Sequence, residues 1–188
     1  TNSGSILGSS RTPDQVCVDR LLALCCATST LRLAAHHSHL GMRDQCEVAA
    51  FSGLGQLAGQ MGELRRTAKA PAVRTLLREL SDELAAQIAA LPLGQATRYF
   101  AHGLDVARWA QSCASSSPPL EYLNSPPVTL ALTFAIQLAC FRYAWLRMGA
   151  LPANATVGHS QGLAAAMVVA LTGSEAALMQ RARAFSRV

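Results

Sequence analysis

A chain of 188 residues that is 51% hydrophobic and 14% charged is too apolar for disorder and too poor in charge for a coiled coil, and its length suits one ordinary core. A net charge of +5 raises the question of nucleic acid. The 16 lysines and arginines are scattered, however, Arg65–Arg66 is their one adjacent pair, and no basic stripe is interleaved with aromatics, so nucleic acid is not the expected partner.

Residues 1–15 are rich in Ser, Gly and Thr and read as loose, and "VCVDRLLALCCATSTLRLAA" at 16–35 reads as one helix. Together they make residues 1–45 an N-terminal extension. The chain opens on Thr1, as a piece of a longer protein does, so an upstream targeting signal stays open. Leu21–Ala27 is the most signal-like run, but it is short and follows Asp19 and Arg20. "HHSH" at 36–39 raises a metal site. Three imidazoles so close in sequence do not converge on one ion without a further ligand such as Cys46, so a solvated loop is expected and no metal. The six cysteines, at 17, 25, 26, 46, 113 and 140, form no CxxC and sit mostly in apolar runs. They read as buried thiols of a reducing, cytoplasmic compartment. The Asn154 sequon abuts an expected strand and reads as chance.

"CEVAAFSGLGQ" at 46–56 reads as a short buried strand that ends in a glycine turn. Pro71 opens the plainest helix, with Val73, Leu76, Leu77, Leu80, Leu84, Ile88 and Leu91 at spacings of three and four. Residues 102–128 begin as a short helix and become a Ser/Pro loop. Pro126–Pro127 opens an apolar helix over roughly 127–147. Its uncharged run Val128–Phe141 is too short to span a bilayer and is interrupted by Gln137, so no membrane is expected. "LPANATVG" gives a turn and a brief strand. The chain then runs helical to about Leu171, and Ser174 with Glu175 reads as the cap and acidic first turn of a last helix. Strands alternating with helices indicate α/β layers.

The polar knot "GHSQG" at 158–162 lies between the brief strand and "LAAAMVVAL". G-x-S-x-G between a strand and a helix is the pattern of a nucleophile elbow. The strained turn thrusts the Ser160 hydroxyl out as nucleophile, and Gly158 and Gly162 remove Cβ atoms that would collide. The helix N-terminus aims free N–H groups at the reacting centre, with the Gln161 N–H as one oxyanion donor. His159 diverges from its neighbour Ser160 and supports the elbow rather than acting as its base. His102 is not placed near the serine by anything in the sequence. No histidine follows Ser160, so the base is expected outside this chain.

These residues are ordered as in a known family. "HGLDVARW" at 102–109, "EYLNSPPVT" at 121–129, "QLA" at 137–139 and "GHSQG" at 158–162 resemble the acyltransferase domain of type I fatty acid synthases. The likeness is to the fungal β-subunit and bacterial type I kind, related to the starter-unit acyltransferase domains of polyketide synthases, and it covers roughly residues 46–188. It implies an α/β fold: part of the α/β-hydrolase-like large subdomain, with short parallel strands, flanking helices and the elbow. A ferredoxin-like subdomain and the catalytic histidine would lie beyond Val188.

The activity so implied is transfer of an acyl group from acyl-CoA, through acyl-Ser160, to the phosphopantetheine thiol of an acyl carrier protein. Partners would be acyl-CoA, the carrier protein and other fatty acid synthase domains, with no bound cofactor, and the mildly basic surface suits an anionic CoA ester. In the family a glutamine in the turn after the first strand gives a second oxyanion N–H. Leu54 falls on that position, and a backbone donor survives the change of side chain. Malonyl-specific members carry an arginine on the helix after the elbow helix. That position falls on Phe185, with Arg183 one step off, which favours a neutral short acyl group, acetyl first. Ser160, in place of the cysteine of many polyketide starter domains, tips the reading toward fatty acid synthase. The alternatives are a polyketide starter or malonyl transacylase, an α/β-hydrolase esterase, and an inactive structural fragment with exposed apolar faces.

Overall fold

The computed structural model describes residues 31–36, 46–53, 57–112, 116–149 and 155–187. In chain order these form β1 (Leu31–His36), β2 (Cys46–Phe51), α1 (Leu57–Thr67), α2 (Pro71–Ala90), α3 (Leu93–Tyr99) and α4 (Val106–Gln111). There follow α5 (Leu120–Leu123), α6 (Pro126–Met148), β3 (Ala155–Gly158), α7 (Gly162–Ala170) and α8 (Glu175–Phe185). The described chain is mostly helical around a small sheet.

The sheet has the order β1-β2-β3. β2 and β3 are parallel, with Val48 opposite Ala155 and Phe51 opposite Gly158. Parallel strands need a crossover, and here it carries α1 to α6. β1 runs antiparallel to β2, Leu31 facing Phe51 and His36 facing Cys46. That corrects the helix expected over 16–35 for its last five residues, 31–35. "LRL" alternates with period two as well as fitting a helix, and the open edge of β2 offers unpaired backbone groups that settle the choice. The sheet therefore begins before residue 46. The rest of that expected helix, the Leu21–Ala27 run, His37 and His39 lie outside the described residues.

α6 is the axis of the core. Pro126 and Pro127 occupy its first turn, and Gly149, at φ 69°, ends it by donating its N–H to Trp145 O. Val128, Leu132, Ala135, Ile136, Leu138, Phe141 and Ala144 are all buried, because α1, α2, α5 and α7 pack around the helix. At 23 residues it is long and apolar enough to cross a membrane, longer than the uncharged run Val128–Phe141 within it. Yet 78% of its apolar window is buried within the fold, as in a core helix. Cys140 lies on it, and burial pushes that thiol up to about 12, which agrees with the expectation of an inert thiol at this position.

α2 presents the expected stripe, with Val73, Leu76, Leu77 and Leu80 buried, each burial contributing roughly 2 kcal/mol. Ser81 Oγ accepts the Ala107 N–H at 2.9 Å and ties α2 to α4. Ser174 Oγ accepts the Ala177 N–H at 3.2 Å, the N-cap expected for α8. Glu175, in that first turn, pairs with the buried Arg142 of α6. Not every apolar face is covered: Leu163, Met167 and Leu171 on and just past α7, and Val157 on β3, are about half exposed.

Candidate active site

β3 stops at Gly158, and the chain turns through His159, Ser160 and Gln161 into α7 within three residues. Ser160 has φ 53°, the one positive φ at a non-glycine among the described residues. A left-handed serine costs about 1–2 kcal/mol, so the surrounding contacts have to hold it there. The turn is closed locally: Gly162 N donates to His159 O at 3.0 Å and Leu163 N to Ser160 O at 3.1 Å. It is anchored to the sheet by the His159 N–H, which donates to Phe51 O at 3.0 Å.

The two glycines of the motif are required by contact. A Cβ on Gly158 would lie 2.6 Å from Gly162 O and from Leu163 Cα, and one on Gly162 would lie 2.1 Å from Phe51 O. The elbow is thus wedged between the end of β2 and the first turn of α7. Ser160 itself is exposed, and its hydroxyl has no hydrogen-bond partner among the described residues.

The turn after β2 completes the corner. Gly53 stands so near Ser160 that a Cβ there would meet its Cβ at 3.1 Å and Oγ at 3.4 Å. Its neighbour Ser52 is held from the core: the fully buried Gln137 of α6 donates Nε2 to Ser52 O at 2.6 Å. Leu54, the second expected oxyanion residue, lies outside the described residues.

The remaining expected residues fall as follows. The Gln161 N–H, one residue past Ser160, donates to nothing among the described residues and stands at the start of α7, where backbone donors and the positive end of the helix dipole gather. His159 is exposed. Its contacts to the elbow run through its backbone, and its imidazole has no hydrogen bond among the described residues. His102 lies in the bend before α4, edge-on to Tyr122 with ring centroids 4.8 Å apart, and makes no bond to Ser160. Phe185 stacks on Phe134 of α6, centroids 5.3 Å apart. Arg183 turns to α2, 3.7 Å from Glu83 and 3.9 Å from Glu79. A groove of about 960 Å³ between α2, α3 and α4 is lined by residues such as Arg78, Ile88 and Arg108 and does not include the elbow.

Gly53 and the tether from Gln137 were not read from the sequence. A signal for the second existed: one amide inside a long uncharged run is a buried polar group in need of a partner.

A strained serine at a helix N-terminus, beside a glycine turn and a free N–H, is equipped to attack a carbonyl and hold the resulting oxyanion. Comparison with known proteins agrees with this chemistry. A family model described as starter unit:ACP transacylase in aflatoxin biosynthesis matches residues 55–188. The fatty acid synthase subunit beta of Schizosaccharomyces pombe is 33% identical over 95 residues, which cover 47% of this chain and 4% of that subunit. The chain therefore corresponds to a small part of the curated relative. No solved structure matches. With most of its length under the family model, elbow included, the chain belongs to the starter unit:ACP transacylase family.

Proposed function

We propose that this chain carries the nucleophile of an acyl-CoA:acyl-carrier-protein transacylase. Ser160 Oγ attacks the thioester carbonyl of an acyl-CoA. The new C–O bond forms, the C–S bond breaks, and the serine proton passes through a base to the leaving CoA thiolate. The phosphopantetheine thiol of a carrier protein then attacks acyl-Ser160, its proton returning to the serine oxygen. The base is the histidine that the family resemblance puts outside this sequence. The Gln161 and Leu54 N–H groups hold the oxyanion in both halves. No bound cofactor takes part, and the two thiols are substrates. The reading carries with it an α/β-hydrolase-like large subdomain and a reducing, cytoplasmic setting.

The observation that supports it most is the left-handed Ser160 at the junction of β3 and α7, φ 53°, inside the region matched by the family model. That match favours starter-unit loading in a polyketide-type assembly. The identity to the fission yeast subunit supports a second reading, acetyl loading in a fatty acid synthase. For either, a neutral short acyl group is the expected cargo, acetyl first. The arginine position of malonyl-specific members is Phe185 here, packed on Phe134, and Arg183 is engaged by Glu79 and Glu83.

The test is acylation of the full-length protein by acetyl-, malonyl- and a longer saturated acyl-CoA, read by intact mass, followed by addition of a carrier protein. The expected result is an uncharged acyl adduct on Ser160 that is absent in Ser160→Ala and moves to the carrier faster than it hydrolyses. Malonyl outpacing acetyl overturns the neutral-acyl part. Hydrolysis outpacing transfer points to an esterase, and no adduct from any acyl-CoA to an inactive module.

A further inference from the structure

We infer that Gln137 is a positioning residue, a tether from the core helix that holds the Ser52–Gly53 turn against the nucleophile. The inference rests on the transacylase reading for its kinetic consequence and on the structure alone for the tether.

Gln137 sits midway along α6 with no exposure to solvent. Its neighbours Ile136, Leu138, Ala139 and Phe141 are buried hydrocarbon, and leucine would serve that place without the cost of desolvating an amide. The amide is oriented by its partner: Ser52 O is a carbonyl and only accepts, so the atom 2.6 Å away is the Nε2 donor. Its Oε1 is left buried and unpaired. A polar side chain whose one bond is to a loop 85 positions away adds little net stability and fixes the place of that loop.

What the loop does follows from its neighbour. Gly53 is the residue packed against Ser160 Cβ and Oγ, and Phe51, one step earlier, accepts the His159 N–H. The β2 turn is bonded to the elbow through Phe51 O and to α6 through Ser52 O, and Ser52 takes part in a further interaction besides. Losing the bond to α6 weakens the hold that keeps the turn against Ser160, and with it the placing of any N–H that the turn presents to the reacting oxygen. Binding of the acyl group would be little changed. The loss would fall on the transition state, which depends on the exact placing of the groups around the reacting atom.

The test compares Gln137→Met, which keeps length and volume but cannot donate, with Thr133→Val. Thr133 is one turn earlier on α6, also fully buried, and its hydroxyl is unpaired, so T133V controls for loss of a buried polar atom as such. Two readouts are taken on the full-length protein. Amide hydrogen exchange across the peptide containing Ser52 and Gly53 should quicken about five- to tenfold in Q137M, the weight of one net hydrogen bond, and stay unchanged in T133V. Ser160 acylation by acetyl-CoA should lose about five- to tenfold in kcat in Q137M, again the weight of one net hydrogen bond, with KM nearly unchanged, and nothing in T133V.

Unchanged exchange in a folded Q137M overturns the tether, and so does an equal effect of both variants. Faster exchange with unchanged kcat overturns its role in positioning. If the wild type forms no acyl-enzyme, the transacylase reading fails while exchange still decides the tether. Should Q137M not fold, Gln137→Asn, one methylene too short to reach Ser52, is read in the same way.

Discussion

The Cα of Gly162 and the carbonyl of Phe51 are in such close contact that a Cβ on the glycine would lie 2.1 Å from the oxygen. That contact is where the elbow meets the sheet, and it makes Gly162 a structural requirement of the motif as much as a local turn preference.

Gly162→Ala is expected to destabilise the fold by about 3 kcal/mol, the upper range for forcing one methyl into a packed site. Backbone atoms form the obstacle, so no side-chain rotation relieves it. Gly158→Ala, 2.6 Å from Gly162 O, should act in the same direction. Urea unfolding curves measure both, and a change within 0.5 kcal/mol, the usual range for a neutral surface substitution, would contradict the wedge.

Ser160 is held in its place at a cost in stability. Its φ of 53° is costly for any residue with a Cβ and nearly free for glycine. Ser160→Gly should therefore be more stable than Ser160→Ala by about 1 kcal/mol, after the extra entropy of an unfolded glycine is subtracted. Both variants should lose all labelling by an active-site serine reagent. Parallel denaturation of the two decides the matter, and alanine equal to glycine would mean the turn stores no strain.

Acid should loosen the junction of α2 and α8. Arg187 holds the Glu83 carboxylate through bonds of 2.9 and 3.0 Å. This, the Gln87 amide and nearby Arg183 hold the carboxyl below its ordinary value of 4.5. A carboxylate depressed in the folded state stabilises above its unfolded pKa, and that contribution is lost as pH falls through 4.5 and then through the lower folded value. Stability of the wild type relative to Glu83→Gln should thus be greatest near neutrality and shrink below about pH 4.5. A difference that stays constant from pH 7 to pH 3 would show that the cluster contributes nothing through charge.

Parts of this arrangement could be read from local pattern. The α2 stripe, the Pro126–Pro127 start of α6, the Ser174 cap and the strand–GHSQG–helix order each involve neighbours within a few residues, whose periodicity and turn chemistry are local. α3 was invisible because it has no buried residue and so carries no apolar stripe. α1, with Gly59 and Gly62 inside it, has composition against it. β1 was misread because a short "LRL" segment satisfies two periods, and only the edge of β2 decides between them.

The order of residues alone determined the tight serine turn and what must flank it, because a serine held between two glycines at the mouth of a helix is a matter of adjacent backbone geometry. Only the tertiary structure brought Phe51, Gly53 and Gln137 to that serine. They reach it from β2 and α6 across long stretches of chain, and contacts made over such distances come from packing of the whole core, which no local pattern encodes.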